Sequence, residues 1–235
     1  MTLLALGGTT PGAAPGVYEG TADVIAALML LLEFGMLRQA LVRDQVRLYA
    51  VQSAMISVLA IVIAADRNLP DLYALAALSA ALKVVAVPWV LRRLLGAPAV
   101  EETRGVAGSY TLNPASAVLA CIVLAAFGFF CFGSLGIHSS QAPALALSLA
   151  GAMVFVAFAL MIVRRDVASQ AIGFFSLENA VSLAALVVAA GLPLLLETAI
   201  LFDLLLAVVV FGMLIRAHHS RAESLSTTDL SRLRG

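Results

Sequence analysis

Residues 170–203 read QAIGFFSLENAVSLAALVVAAGLPLLLETAILFD, two apolar stretches joined only by Gly191-Leu192-Pro193. The second stretch continues apolar to Ile215. Each is close to the length of about 20 residues that a helix needs to cross a hydrocarbon core about 30 Å thick. In hydrocarbon every backbone N–H and C=O must be satisfied within the chain, so such stretches read as helices. The connection is too short for anything but antiparallel neighbours. Three acids, Glu178, Glu197 and Asp203, lie inside these apolar turns. Charge is expensive there, and acids so placed mark an ion pathway or a binding site.

Outward from this hairpin, five more segments have the same character. The full set is Thr21–Leu37, Val46–Ala65, Leu72–Leu95, Pro114–Leu135, Pro143–Val163, Gln170–Ala190 and Pro193–Ile215. The expected fold is therefore an all-α integral membrane protein with seven transmembrane helices. Composition agrees: of 235 residues, 62% are hydrophobic and 12% charged. A soluble domain of this size could not cover such a chain with polar surface. Net charge is zero, so nothing electrostatic favours nucleic acid. Met1–Gly20 has no positive leading region and is broken by Pro11 and Pro15, so it reads as a flexible lead-in rather than a cleavable signal. The remaining division is a four-helix part over 21–135, a three-helix part over 143–216 and a polar tail over 217–235.

Orientation follows from arginine in short loops. Arg38, Arg43 and Arg47 fall in one loop, Arg92, Arg93 and Arg104 in the next but one, and Arg164 and Arg165 in the fifth. The tail adds Arg216, Arg221, Arg232 and Arg234, whereas the alternate loops hold only Arg67. This bias predicts the N-terminus outside and the C-terminus in the cytoplasm, the arrangement of a multi-pass protein of the cell inner membrane. An odd helix count is required to put the tail there.

Proline marks several helix starts: Pro114, Pro143 and Pro193 sit where a first-turn N–H has no partner in any case. Pro88 lies inside a helix instead and should kink it, freeing a carbonyl just after Lys83. Cys121 and Cys131 lack metal or redox spacing and read as packing residues. His138, His218 and His219 are too dispersed for a metal site. Neither a nucleotide loop, a nucleophile–base arrangement nor a haem ligand pair stands out, so no cofactor, no metal and no chemistry of the chain's own are expected.

Set in from the ends of the apolar segments are five charged residues: Glu33, Lys83, Glu178, Glu197 and Asp203. Counted inward from the outer face at about 1.5 Å per residue, all but Glu197 fall roughly 15–18 Å deep, near the midplane. Glu197 lies about 9 Å above Asp203 and about 120° around the same helix. A midplane charge costs about 2.5–3.5 kcal/mol on insertion scales, so these groups need partners or water. Lys83, the one lysine of the chain, can pair with one carboxylate; the others could stay protonated. Adjacent helices make Glu178 and Asp203 the expected exchanging pair. A structural reading pairs Lys83 with Glu33, or lets both snorkel towards the cytoplasm. Asn179, Ser182 and Gln170 are candidates for interhelical hydrogen bonds or a wet path.

Arg164-Arg165, then Gly173, then Glu178-Asn179, with Asp203 midway along the next helix, together resemble the three-helix K subunit of complex I and the C subunit of multisubunit sodium/proton antiporters. With the short Gly191-Leu192-Pro193 turn and Glu197, the whole layout resembles hydrogenase-4 component E, a longer version with extra helices in front. The specific part is Gly173–Asp203; Thr21–Leu135 matches only in helix count and placement. What the resemblance implies is a subunit of a complex-I-like membrane arm whose carboxylates belong to a midplane proton-carrying chain. Glu178 and Asp203 take the two carboxylate positions. Glu178 sits about one turn later than its K-subunit counterpart, and Asp203 is shorter than the glutamate it replaces. The implied partners are large antiporter-like membrane subunits and a nickel–iron hydrogenase or quinone-linked module, besides the lipid bilayer. Glu33 and Lys83 are not assigned by the resemblance. The competing expectation is a stand-alone seven-helix cation-coupled transporter for a small solute, against which stands the lack of an inverted repeat.

Overall fold

The computed structural model describes residues 17–95, 113–135, 144–164, 166–189 and 209, 210, 212 and 213. Helix α1 is Val17–Arg38 and α2 is Val42–Arg67. A third rod runs as α3 (Pro70–Ser79), a π-helical segment (Ala80–Ala86) and α4 (Val87–Leu95). Then come α5 (Pro114–Gly133), α6 (Ala144–Val163) and α7 (Val167–Ala189). The protein is all-helical over these residues, with no strand, and six of its helices are long and apolar enough to cross a membrane. Helix α1 starts at Val17, inside the stretch expected to be lead-in. Apart from residues 209, 210, 212 and 213, which are helical, the seventh segment lies outside the described residues, as do its turn at 191–193, Pro143, the long loop and the polar tail.

Local chemistry explains the boundaries. Asn68 adopts a left-handed conformation (φ 53°, ψ 48°) and its N–H bonds the Ala64 carbonyl, which ends α2. Pro70 follows at once and opens α3, where its missing N–H leaves nothing unpaired. Pro114 opens α5 behind Asn113, whose side chain accepts from the Ala115 N–H at 3.3 Å. Asp166 caps α7 by accepting from the Ser169 N–H at 2.7 Å.

Four helices close a ring of neighbours: α1 packs on α2, α2 on α7, α7 on α6 and α6 on α1. The rod α3–π–α4 lies outside against α2, and α5 lies outside against α6. Small residues permit the α5–α6 approach. A Cβ on Gly128 would run into the Gly151 carbonyl, and one on Gly151 into the Phe132 ring. Gly173 does the same for α6 and α7, since its Cβ would lie 2.8 Å from Met161 Cγ. Helices α1 and α6 run parallel. At one end the Asp23 carboxylate of α1 accepts from the Ala146 N–H of α6 at 2.9 Å; at the other Arg164, just past α6, reaches the Leu37 carbonyl of α1 at 3.2 Å. Large apolar side chains such as Leu31, Val85, Trp89, Phe130 and Ile162 face outward, which suits a hydrocarbon solvent and not water.

The buried apolar residues fall into two separate clusters. One gathers Met29, Ile56, Ala76, Met153 and Ala180 with their neighbours towards the start of α1 and the end of α7. The other gathers Met36, Tyr49, Val87, Val156 and Phe175 towards the opposite end. Between them, on α1, α2, the π segment and α7, lies a polar layer.

Candidate functional site

Each helix contributes to that layer at the gap between its two apolar stretches. Glu33 lies between Met29 and Met36 on α1, and Gln52 and Ser53 lie between Tyr49 and Ile56 on α2. Lys83 lies between Ala76 and Val87, and Ser176, Glu178 and Asn179 lie between Phe175 and Ala180 on α7. Two apolar plugs thus hold charged and amide groups away from either end of the bundle.

Helix α7 serves two sites at once. Residues three and four apart share a face, so Ser176 with Asn179 looks one way and Glu178 with Ser182 another. Towards the π segment, Lys83 Nζ sits 3.3 Å from Glu178 Oε1, with both side chains about 5% exposed or less. The same ammonium donates to Ser182 Oγ at 3.2 Å. Towards α1 and α2, Ser176 Oγ lies 2.7 Å from Glu33 Oε1 and 3.1 Å from Gln52 Oε1. Asn179 donates through Nδ2 to Gln52 Oε1 at 3.1 Å and to Ser53 Oγ at 2.9 Å. Gln52 Nε2 donates back to the Met29 carbonyl at 3.3 Å. Gln52 is thereby held at both ends of its amide, which fixes its orientation.

The π segment is what brings Lys83 round to α7. Pro88 cannot donate to the Val84 carbonyl, and its ring crowds that turn. The backbone widens instead, with the Val87 N–H bonding the Leu82 carbonyl five residues back. The break that Pro88 predicts is therefore a π turn with Lys83 in it.

The sequence-predicted residues separate as follows. Lys83 pairs with Glu178 and not with Glu33, whose hydrogen bond is to Ser176. Neither snorkels: Lys83 is 4% exposed and Glu33 fully buried. Ser182 and Asn179 both make interhelical bonds, while Gln170 donates to the Arg164 carbonyl at 2.9 Å and belongs to the α6–α7 turn. Glu197 and Asp203 lie outside the described residues. Cys121 is buried in α5 and Cys131 half-buried, both as free thiols. Among the described residues no group of three His, Cys, Asp or Glu could hold a metal.

The chain is 30% identical over 172 residues to "Uncharacterized protein Rv0085" of Mycobacterium tuberculosis, covering 73% of this chain and 77% of that one. This chain belongs to the family of that protein. No family model matches it, and no solved structure does.

In this member of the family, three features escape a reading weighted towards charge. Gln52 and Ser53 stand in the middle of an apolar segment, and Ser176 stands one helical turn before Asn179. That spacing alone signals a polar face on α7 meeting one on α2. Arg164, counted as a loop charge, is 1% exposed. Its guanidinium donates to the carbonyls of Leu37 and Gln39, at the C-terminal end of α1 where the helix supplies no further N–H of its own. The Gln39 carbonyl also accepts from Gln45 Nε2 at 3.0 Å, so one buried cation fastens the α1–α2 turn to the α6–α7 turn.

Proposed function

We propose that this chain is a membrane-arm subunit of a hydrogenase-4-like, complex-I-like assembly in the cell inner membrane. In this reading it has seven spans, an outer N-terminus and a cytoplasmic C-terminus, and it is not an enzyme by itself. It joins large antiporter-like subunits to the rest of the complex and lends carboxylates to a lateral proton path.

The observation that carries the reading is the Lys83–Glu178 pair at 3.3 Å between two apolar plugs. A buried ion pair stabilises a fold weakly, because desolvating both charges offsets most of their attraction. Its retention deep in an apolar bundle is better explained by function. A proton arriving at Glu178 neutralises the carboxylate and loosens Lys83, which keeps its bond to Ser182. Departure of the proton restores the pair. Such a two-state element is what a relay stage requires. Asp203 and Glu197, on the seventh segment, supply the next stages in this account, and the parallel run of α1 and α6 fits the alternating spans it needs.

The test is proton translocation by the assembled complex. Inverted membrane vesicles carrying E178Q or K83M should, per assembled complex, lose most of the pH gradient formed on addition of the driving substrate. If both variants build the gradient at wild-type rate, the relay role is wrong.

A further inference from the structure

Glu33 is fully buried, and among the described residues its one hydrogen bond is to Ser176. Its Oε2 is buried without a hydrogen-bond partner among the described residues. The cations nearest the layer are committed elsewhere: Lys83 to Glu178 and Ser182, Arg164 to the α1 carbonyls. The elements packed on α1 offer Glu33 little charge. Helix α6 carries no titratable residue between Ala144 and Val163, α7 turns Glu178 to the π segment, α2 brings Tyr49 one turn away from Gln52, and α5 brings the Cys121 thiol within electrostatic reach.

Hydrogen counting decides what Glu33 is. Ser176 has one O–H, yet two oxygens, Glu33 Oε1 and Gln52 Oε1, lie within its reach. Were Glu33 ionised, both would be pure acceptors competing for that hydrogen. The carboxylate would then be a fully buried charge with one hydrogen bond and no cation paired to it among the described residues, a state of high free energy. With a proton on Glu33 Oε1 every step closes. Glu33 donates to Ser176 Oγ at 2.7 Å, an ordinary O–H···O length, and Ser176 donates onward to Gln52 Oε1 at 3.1 Å. Gln52 is fixed with its oxygen towards Ser176 by the bonds its amide makes to Met29 and Asn179. The idle Oε2 is then the weakly accepting carbonyl of a neutral acid.

From this geometry we infer that Glu33 is a proton-loaded carboxylic acid that latches α1 to α7 and α2 through the directed chain Glu33–Ser176–Gln52, with Ser176 as its positioning residue. The chain ends at an amide oxygen, which passes no proton on. Glu33 is therefore a side store and a latch, and not a through-stage beyond Ser176. Loss of its proton reverses Ser176 from acceptor to donor and strips Gln52 of one bond, which loosens the junction of three helices. The inference is independent of the relay reading, since it concerns where a proton rests and not whether the complex pumps.

Infrared difference spectroscopy of the full chain in lipid, with whatever co-purifies, tests it. Subtracting the E33Q spectrum from wild type at neutral pH should leave a carboxylic acid C=O band. S176A should keep that band and shift it to higher frequency, while E178Q should leave it in place. Loss of carboxylate bands in E33Q, with the acid band intact, would overturn the assignment. Should E33Q fail to insert, S176A still decides: an acid band shifted by removing one hydroxyl supports the latch, and an unmoved acid region contradicts it.

Discussion

At the scale of single residues the layer is built from charge and its compensation. Lys83 and Glu178 are each nearly inaccessible, so removing one leaves the other buried without that counter-charge. Breaking such a pair costs about 3–5 kcal/mol, whereas replacing both partners with neutral groups of similar size is close to neutral. K83M should therefore lower the thermal unfolding midpoint in detergent, and K83M/E178Q should recover most of the loss; a double variant as unstable as the single would mean the pair contributes nothing as a pair. Lys83 stood out in the sequence as the sole lysine, and Glu178 as an acid amid apolar turns. Which carboxylate Lys83 meets was not legible, because that depends on how far each helix is turned about its axis. Gln52 and Ser176 were hidden for a different reason. An amide or hydroxyl barely disturbs an apolar pattern, yet at 0% exposure each must find a partner.

Elements decide where those residues point. Pro88 marks a break in the third rod, and the seven-residue π segment Ala80–Ala86 is how the backbone accommodates it. Restoring an N–H by P88A lets the turn tighten towards regular α geometry, since residue 88 can then bond the Val84 carbonyl. Tightening rotates Lys83 relative to α4 and weakens its hold on Glu178. P88A should then destabilise the wild type more than it destabilises K83M/E178Q, measured as a double-mutant cycle of thermal midpoints. Equal effects in both backgrounds would uncouple the π turn from the pair. The first six apolar segments were legible to within a few residues because length and hydropathy alone set them. The π turn was not, since sequence shows that a proline breaks the α pattern but not how the turn before it responds.

For the whole molecule, the arrangement joins what the sequence keeps apart. The ring α1–α2–α7–α6 takes two helices from the first half of the chain and two from the second, so the C-terminal helices do not stand by themselves. Glu33 on α1 and Ser176 on α7 are consequently one site, though 143 residues separate them. No periodicity in a single helix reports such a closure. Two apolar clusters with a polar layer between them are the architecture of a protein that must hold charge while excluding lipid and water from it. Outward-facing Leu, Val and Phe side chains call for apolar neighbours.

The account stands or falls on those neighbours. An affinity tag on the C-terminus, extraction in mild detergent and mass spectrometry of the co-purifying chains would identify them. We expect large antiporter-like membrane subunits, accompanied by a nickel–iron or quinone-linked module. A homogeneous preparation of this chain alone, stable and active in moving a small solute with a cation, would contradict the subunit reading and establish a transporter in its place.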